Sequence, residues 1–95
     1  MDEIDFAVLE LLLFPEQFSN IVMECRIPTT RHVVGDVLKT LLHDSYVSPL
    51  YKDESGNFKR SIGYDSDNMG AFYYQITSKG IDKLDGYLSA HKNVN

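Results

Sequence analysis

The segment YYQITSKGIDKL, residues 73–84, changes its hydrophobic spacing at Thr77. Before Thr77, aromatic and β-branched residues come in near alternation, which is typical of a β-strand; after it, apolar residues recur every three or four positions, which is typical of a helix. The threonine hydroxyl can cap the first turn of that helix. The segment therefore predicts a strand that runs directly into a C-terminal helix, over about residues 78–91.

Three stretches of helical spacing precede the predicted strands. They lie at about residues 2–14, 16–26 and 30–44. Pro15 separates the first two helices and Pro28 the second from the third, because proline cannot continue a helix. Thr29 or Thr30 can cap the third helix through its hydroxyl.

The first predicted helix is apolar on two opposite sides. Ile4 and Val8 lie on one side, and Phe6, Leu9 and Leu13 lie on the other. A helix of this kind is usually buried on both sides, so either the chain's own C-terminal helix or another subunit must cover the second. The candidate dimer or partner interface consists of Phe6, Leu9, Leu13, Tyr87 and Leu88.

Residues 46–76 have the spacing of strands. YVSPLYK and FKRSIGY flank the turn sequence DESGN, and the loop DSDNMG precedes AFYYQI. The pattern predicts two or three antiparallel strands. Pro49 lacks a backbone donor, so we expect the first of these strands to lie at an edge or to end early.

This order of helices, hairpin and helix is that of a winged-helix domain. The segment VVGDVLKTLLHDSYVSP, residues 33–49, resembles the recognition helix and exit of winged-helix regulators, and YYQITSKGIDKL is similar to the segment that closes the wing in PadR- and MarR-type transcriptional regulators. The resemblance, which covers about Phe18 to Leu88, implies an α+β winged helix-turn-helix fold with residues 46–76 as the wing. The length of 95 residues predicts a single domain, residues 1–95. Ser45 stands in place of the usual glycine before the wing.

The resemblance also implies a function, a DNA-binding transcriptional regulator that acts as a homodimer on double-stranded DNA. Residues 25–60 are the only basic part of the chain, with six bases against four acids, whereas residues 1–24 contain six acids and no base. Phosphate backbones attract such a basic segment. The candidate DNA contacts are Thr29, Thr30, Arg31, His32, Gly35 and Lys39 on the third helix, and Lys52, Lys59 and Arg60 on the wing.

The net charge of −5 and the acids in DSDNMG favour an alternative, an acidic winged-helix protein-interaction module without DNA binding. Its partner would dock on the acidic first helix or on the aromatic sheet. No nucleophile stands beside a base and no histidine has metal-ligand spacing, so we expect neither an enzyme nor a metal or cofactor site. A single cysteine and the lack of a long apolar run predict a cytoplasmic protein that does not cross a membrane.

Overall fold

Residues 1–92 form four α-helices and a four-stranded antiparallel sheet, which confirms the predicted α+β class. A computed structural model describes these residues and the side chains of residues 1–90; residues 93–95, the end of the predicted domain, lie outside the described residues. In chain order the elements are α1 (Glu3–Leu11), β1 (Glu16–Gln17), α2 (Phe18–Glu24), α3 (Arg31–His43), β2 (Val47–Lys52), β3 (Phe58–Arg60), a 3₁₀ turn (Met69–Ala71), β4 (Tyr73–Ile76) and α4 (Ser78–Lys92).

The first two helices are shorter than the sequence spacing predicts. α1 ends at Leu11 instead of residue 14, and Glu16–Gln17 forms a strand that pairs with β4 instead of starting a helix. The carbonyl of Leu12 accepts a hydrogen bond from the N–H of Ile76 at 2.8 Å. Pairing with β4 thus satisfies backbone groups that a longer helix would have paired internally. Pro15, which has no N–H to donate, stands between the two predicted helices and favours this break.

The sheet has the strand order β1-β4-β2-β3, so β2 lies between two neighbours. Pro49 is opposite Tyr74 within this interior strand, which corrects the expectation of an edge strand. The carbonyl of Pro49 accepts from the N–H of Ser61 at 2.9 Å. The nitrogen of Pro49 faces β3 as well, but it has no hydrogen to donate to that strand. Hydrogen-bonded pairing cannot continue past this proline, and the strand predicted over residues 58–64 stops at Arg60.

The helices pack against one side of the sheet. Val47, Tyr74 and Ile76 on that side belong to a single buried cluster with residues of α1, α2, α3 and α4. Successive strand residues point to opposite sides and directly paired residues share a side. The other side, which we call the outer face, therefore carries Ser48, Leu50, Lys52, Phe58, Arg60, Tyr73 and Gln75.

Candidate nucleic-acid interface

α3 carries a polar face on a helix that is firmly held. The Thr30 hydroxyl accepts from the N–H of Val33 at 3.3 Å and caps the first turn. The buried side of the helix packs into the core through Val34, Val37, Leu38 and Leu41. The exposed positions include Arg31, His32, Asp36 and Lys39. Burial of one side fixes the direction in which these polar side chains project.

Three of these exposed side chains, Arg31, His32 and Asp36, have local partners. The guanidinium of Arg31 lies 4.9 Å from the centre of the Phe18 ring, which orients the arginine without removing it from solvent. His32 Nε2 lies 3.5 Å from Asp36 Oδ2, one turn further along the helix. Because both side chains of this pair are exposed, its contribution to stability is small. Arg31 and Lys39 are the other exposed basic side chains of this face.

Thr29 and Gly35 are less exposed than the other predicted α3 residues, although Gly35 also lines the groove beside Arg31 and Lys39. The Thr29 hydroxyl oxygen is buried and has no hydrogen-bond partner among the described residues. Gly35 is buried, and a Cβ at this position would lie 3.8 Å from the Phe18 ring. The helix spacing did not show this because α2 covers the Gly35 side of α3 only in the folded protein. The remaining predicted α3 residues, Thr30, Arg31, His32 and Lys39, are exposed.

The loop after β3 folds back beside α3. Residues 66–70 and the polar face of α3 line a groove of about 380 Å³, which brings Asp67 to the same groove as Arg31 and Lys39. The N–H of Asp67 donates to the Asp65 carboxylate at 2.9 Å, so the loop has an ordered turn. The loop therefore adds one carboxylate, that of Asp67, to the groove beside the α3 face. No sequence signal placed this loop, because its position depends on long-range packing.

Met69 and Tyr74 anchor that loop to the core. Met69 is buried, and its carbonyl accepts a 2.7 Å hydrogen bond from the hydroxyl of Tyr74, which is itself fully buried. Burial raises the pKa of the Tyr74 phenol above its ordinary range, with a further contribution from Tyr64. The phenol therefore stays protonated in the folded protein and remains a donor to the loop.

Tyr74→Phe is expected to lower the free energy of unfolding by about 1–2 kcal/mol at neutral pH, because the Met69 carbonyl loses its donor. The unfolded phenol ionises near pH 10 while the folded one does not, so wild type loses stability as pH rises above about 10. The phenylalanine variant lacks this loss. Denaturant unfolding should therefore show a smaller difference in the free energy of unfolding between wild type and Tyr74→Phe at about pH 11 than at pH 7. Tyr51→Phe, at a position 46% exposed, is the control. A difference that is equal at both pH values would contradict the argument.

The three cations of the hairpin do not form one cluster. Lys52 and Arg60 lie on the outer face, whereas Lys59 pairs with Tyr51 on the helix-facing side of the sheet. Asp53 organises the turn between the strands, since its carboxylate accepts from the N–H groups of Ser55 and Asn57 at 2.9 Å. The alternation of strand residues already separates positions 59 and 60, so this division was readable from the sequence.

Basic side chains thus lie on α3 and on both sides of the hairpin. No family model, curated protein or solved structure matches this chain. Within residues 1–92, no group of three or more His, Cys, Asp or Glu side chains is placed to hold a metal ion. None of the helices in this part of the chain has the length and apolar character needed to cross a bilayer.

Arg26 belongs to a different surface from Arg31. Its guanidinium lies 3.2 Å from the carboxylates of Glu3 and Glu10 on α1. Hydrogen bonding to Glu3 is the main cause that raises the pKa of Arg26 further above its ordinary range. Arg26 therefore offsets part of the acidic charge of α1 and is not available to the α3 face, although it adds to the basic count of residues 25–60.

The predicted interface residues divide into covered and exposed ones. The Phe6 ring stacks on Tyr87 of α4 at 3.9 Å between centres, and Leu9 is fully buried. The chain's own C-terminal helix thus covers the second side of α1, so a second subunit is not needed to bury Phe6 and Leu9. Leu13 and Leu88 remain 50% and 44% exposed.

Proposed function

We propose that the chain is a winged-helix DNA-binding protein, a cytoplasmic transcriptional regulator that binds double-stranded DNA as a homodimer. In this proposal α3 is the recognition helix and the β2–β3 hairpin is the wing. The observation that carries it is the exposed face of α3, where Arg31 and Lys39 project from a helix whose other side is buried. A helix presented in this way can enter a major groove with its N-terminal residues at the base edges.

The order of elements supports the same proposal. α2 and α3 are joined by a short connection, and a hairpin and a C-terminal helix follow. Arg31 has the fork geometry that binds a guanine edge, and Lys39 suits a phosphate. Charges act over about 10 Å in 0.1 M salt, so the bases beside the duplex matter more than the net charge of −5. Leu13 and Leu88 are the predicted interface residues that remain exposed, and a second subunit would pack on them.

Arg31→Ala and Lys39→Ala are each expected to weaken binding of a labelled mixed-sequence DNA duplex by about tenfold near 50 mM salt. The reason is that each variant removes one cation that displaces counterions from the duplex. The plot of log affinity against log salt should become less steep by about 0.9 for each cation removed. Fluorescence anisotropy measures both quantities.

Lys83→Ala is the matched control, because it removes one positive charge from an exposed position on α4. Its duplex affinity should equal that of wild type. α3 is not a DNA-recognition helix if wild type fails to bind the duplex near 50 mM salt. The same conclusion follows if Arg31→Ala, Lys39→Ala and Lys83→Ala reduce the duplex affinity equally.

The second candidate is the protein-interaction module, and the position of Asp67 favours it. Asp67 lines the groove that also contains Arg31 and Lys39, so it opposes the approach of a phosphate. Asp67→Asn separates the two functions in the same assay. Stronger duplex binding by this variant indicates that the groove faces DNA, whereas no binding by either protein leaves the interaction module as the better account.

A further inference from the structure

The outer face of the sheet has its own small aromatic and basic cluster, on the side of the sheet opposite to the helices. We call Leu50, Lys52, Phe58, Arg60 and Tyr73 the outer patch. The Phe58 and Tyr73 rings meet edge to face with their centres 4.9 Å apart. The Lys52 amine lies 5.2 Å and 5.3 Å from the two ring centres. Within the patch, Phe58 remains 40% exposed, whereas Leu50 is buried.

The outer patch is basic in a chain that is acidic as a whole. Lys52 and Arg60 are its charged members, and among the described strand residues of the outer face none is acidic. A cleft of about 530 Å³ adjoins the patch through Leu50 and Arg60 and is lined further by Lys79 and by the hydroxyl residues Ser45, Ser48, Thr77 and Ser78. The described lining of this cleft also contains no carboxylate. Such a surface selects an anionic partner.

We infer that the outer patch binds single-stranded nucleic acid, with unpaired bases stacking on Phe58 and Tyr73 and phosphates held by Lys52 and Arg60. Aromatic rings beside cations are the combination with which proteins hold unpaired strands. Paired bases in a duplex do not offer their faces to these rings, and the carboxylates of an acidic peptide do not stack on them. Lys52 must move from the rings when a base stacks, and this exchange is favourable because stacking is stronger than an exposed cation–π contact.

The test uses fluorescent oligo(dT) and oligo(rU) of about 12 nucleotides, a length within the usual site size of single-strand-binding proteins. Phe58→Leu keeps an apolar side chain at this position but removes the aromatic face, and should weaken binding about tenfold. Lys52→Ala with Arg60→Ala should make the salt dependence less steep by about 1.4. Lys83→Ala and Arg31→Ala should bind these oligomers as wild type does, and the thermal unfolding of each variant verifies its fold.

Each result decides between this inference and another account. Failure of wild type to bind the oligomers, or full binding by Phe58→Leu, overturns the inference. If poly-glutamate displaces the labelled oligomers as effectively as unlabelled oligomer does, the patch is assigned to an acidic protein partner instead. Because duplex binding through α3 is measured with a different probe and different variants, it can fail while oligomer binding holds, and the reverse is also true. Equal loss of both activities in Arg31→Ala would mean that one surface serves both probes, which also overturns a separate outer-patch site.

Discussion

Gly80→Ala is expected to lower the free energy of unfolding by about 3 kcal/mol or more, and the melting temperature by more than about 10 °C. A Cβ at this position would overlap the carbonyl oxygen of Tyr46 and lie 2.6 Å from Ile76 Cγ1. A backbone atom cannot move aside as the end of a flexible side chain can. The methyl group would therefore push the start of α4 away from the turn that precedes β2.

That contact matters because Thr77 joins the same two elements. Its hydroxyl accepts from the N–H of Gly80 at 3.1 Å, which confirms the predicted cap, and donates to the carbonyl of Ser45 at 2.7 Å. The N–H of Thr77 donates to the carbonyl of Tyr46 at 3.0 Å. Separation of α4 from this turn would break the two bonds from Thr77 to Ser45 and Tyr46 together, which is why we expect a large effect from one methyl group.

Gly86→Ala is the matched control for Gly80→Ala, since it lies in the same helix and a Cβ there meets nothing within 4 Å. Helix propensity alone predicts that the free energy of unfolding of this variant is higher than that of wild type by about 1 kcal/mol. Thermal and urea unfolding of both variants measure the contrast. If Gly80→Ala melts within a few degrees of wild type, then α4 does not pack closely on Tyr46, and the account of this junction fails.

The second large effect is expected at Leu9, one of the candidate residues for a dimer or partner interface. Leu9 is fully buried within the chain, so Leu9→Ala should lower the free energy of unfolding by about 3 kcal/mol through lost burial and the cavity that remains. Leu13→Ala, at a residue 50% exposed, should change the stability of the monomer by less than about 0.5 kcal/mol. Urea unfolding at a low protein concentration measures both values.

The same pair of variants bears on the proposed homodimer. If Leu13 packs against a second subunit, Leu13→Ala should shift sedimentation toward monomer while its unfolding at low concentration stays close to that of wild type. If Leu9→Ala and Leu13→Ala destabilise equally and independently of concentration, the assignment of Leu9 to the core and Leu13 to a contact surface is contradicted.

The two proposed surfaces differ in how well the sequence predicted their residues. Arg31, His32 and Lys39 were found from helix spacing, because residues on one side of a helix recur every three or four positions. Phe58 and Tyr73 were missed as site residues, although each is an aromatic residue on a predicted strand. Their contact depends on β4 pairing with β2, which local spacing cannot reveal.

The sequence by itself determined the α+β class, the four helices, the hairpin turn and the Thr77 cap, because these depend on residues a few positions apart. Ser45 has a positive φ of 64°, a conformation that glycine adopts freely. Only the tertiary structure decided that Glu16–Gln17 forms a strand, that β2 is interior and that the loop of residues 66–70 lies beside α3. Each of these features depends on contacts between segments far apart in the chain, whose free energy outweighs local propensity.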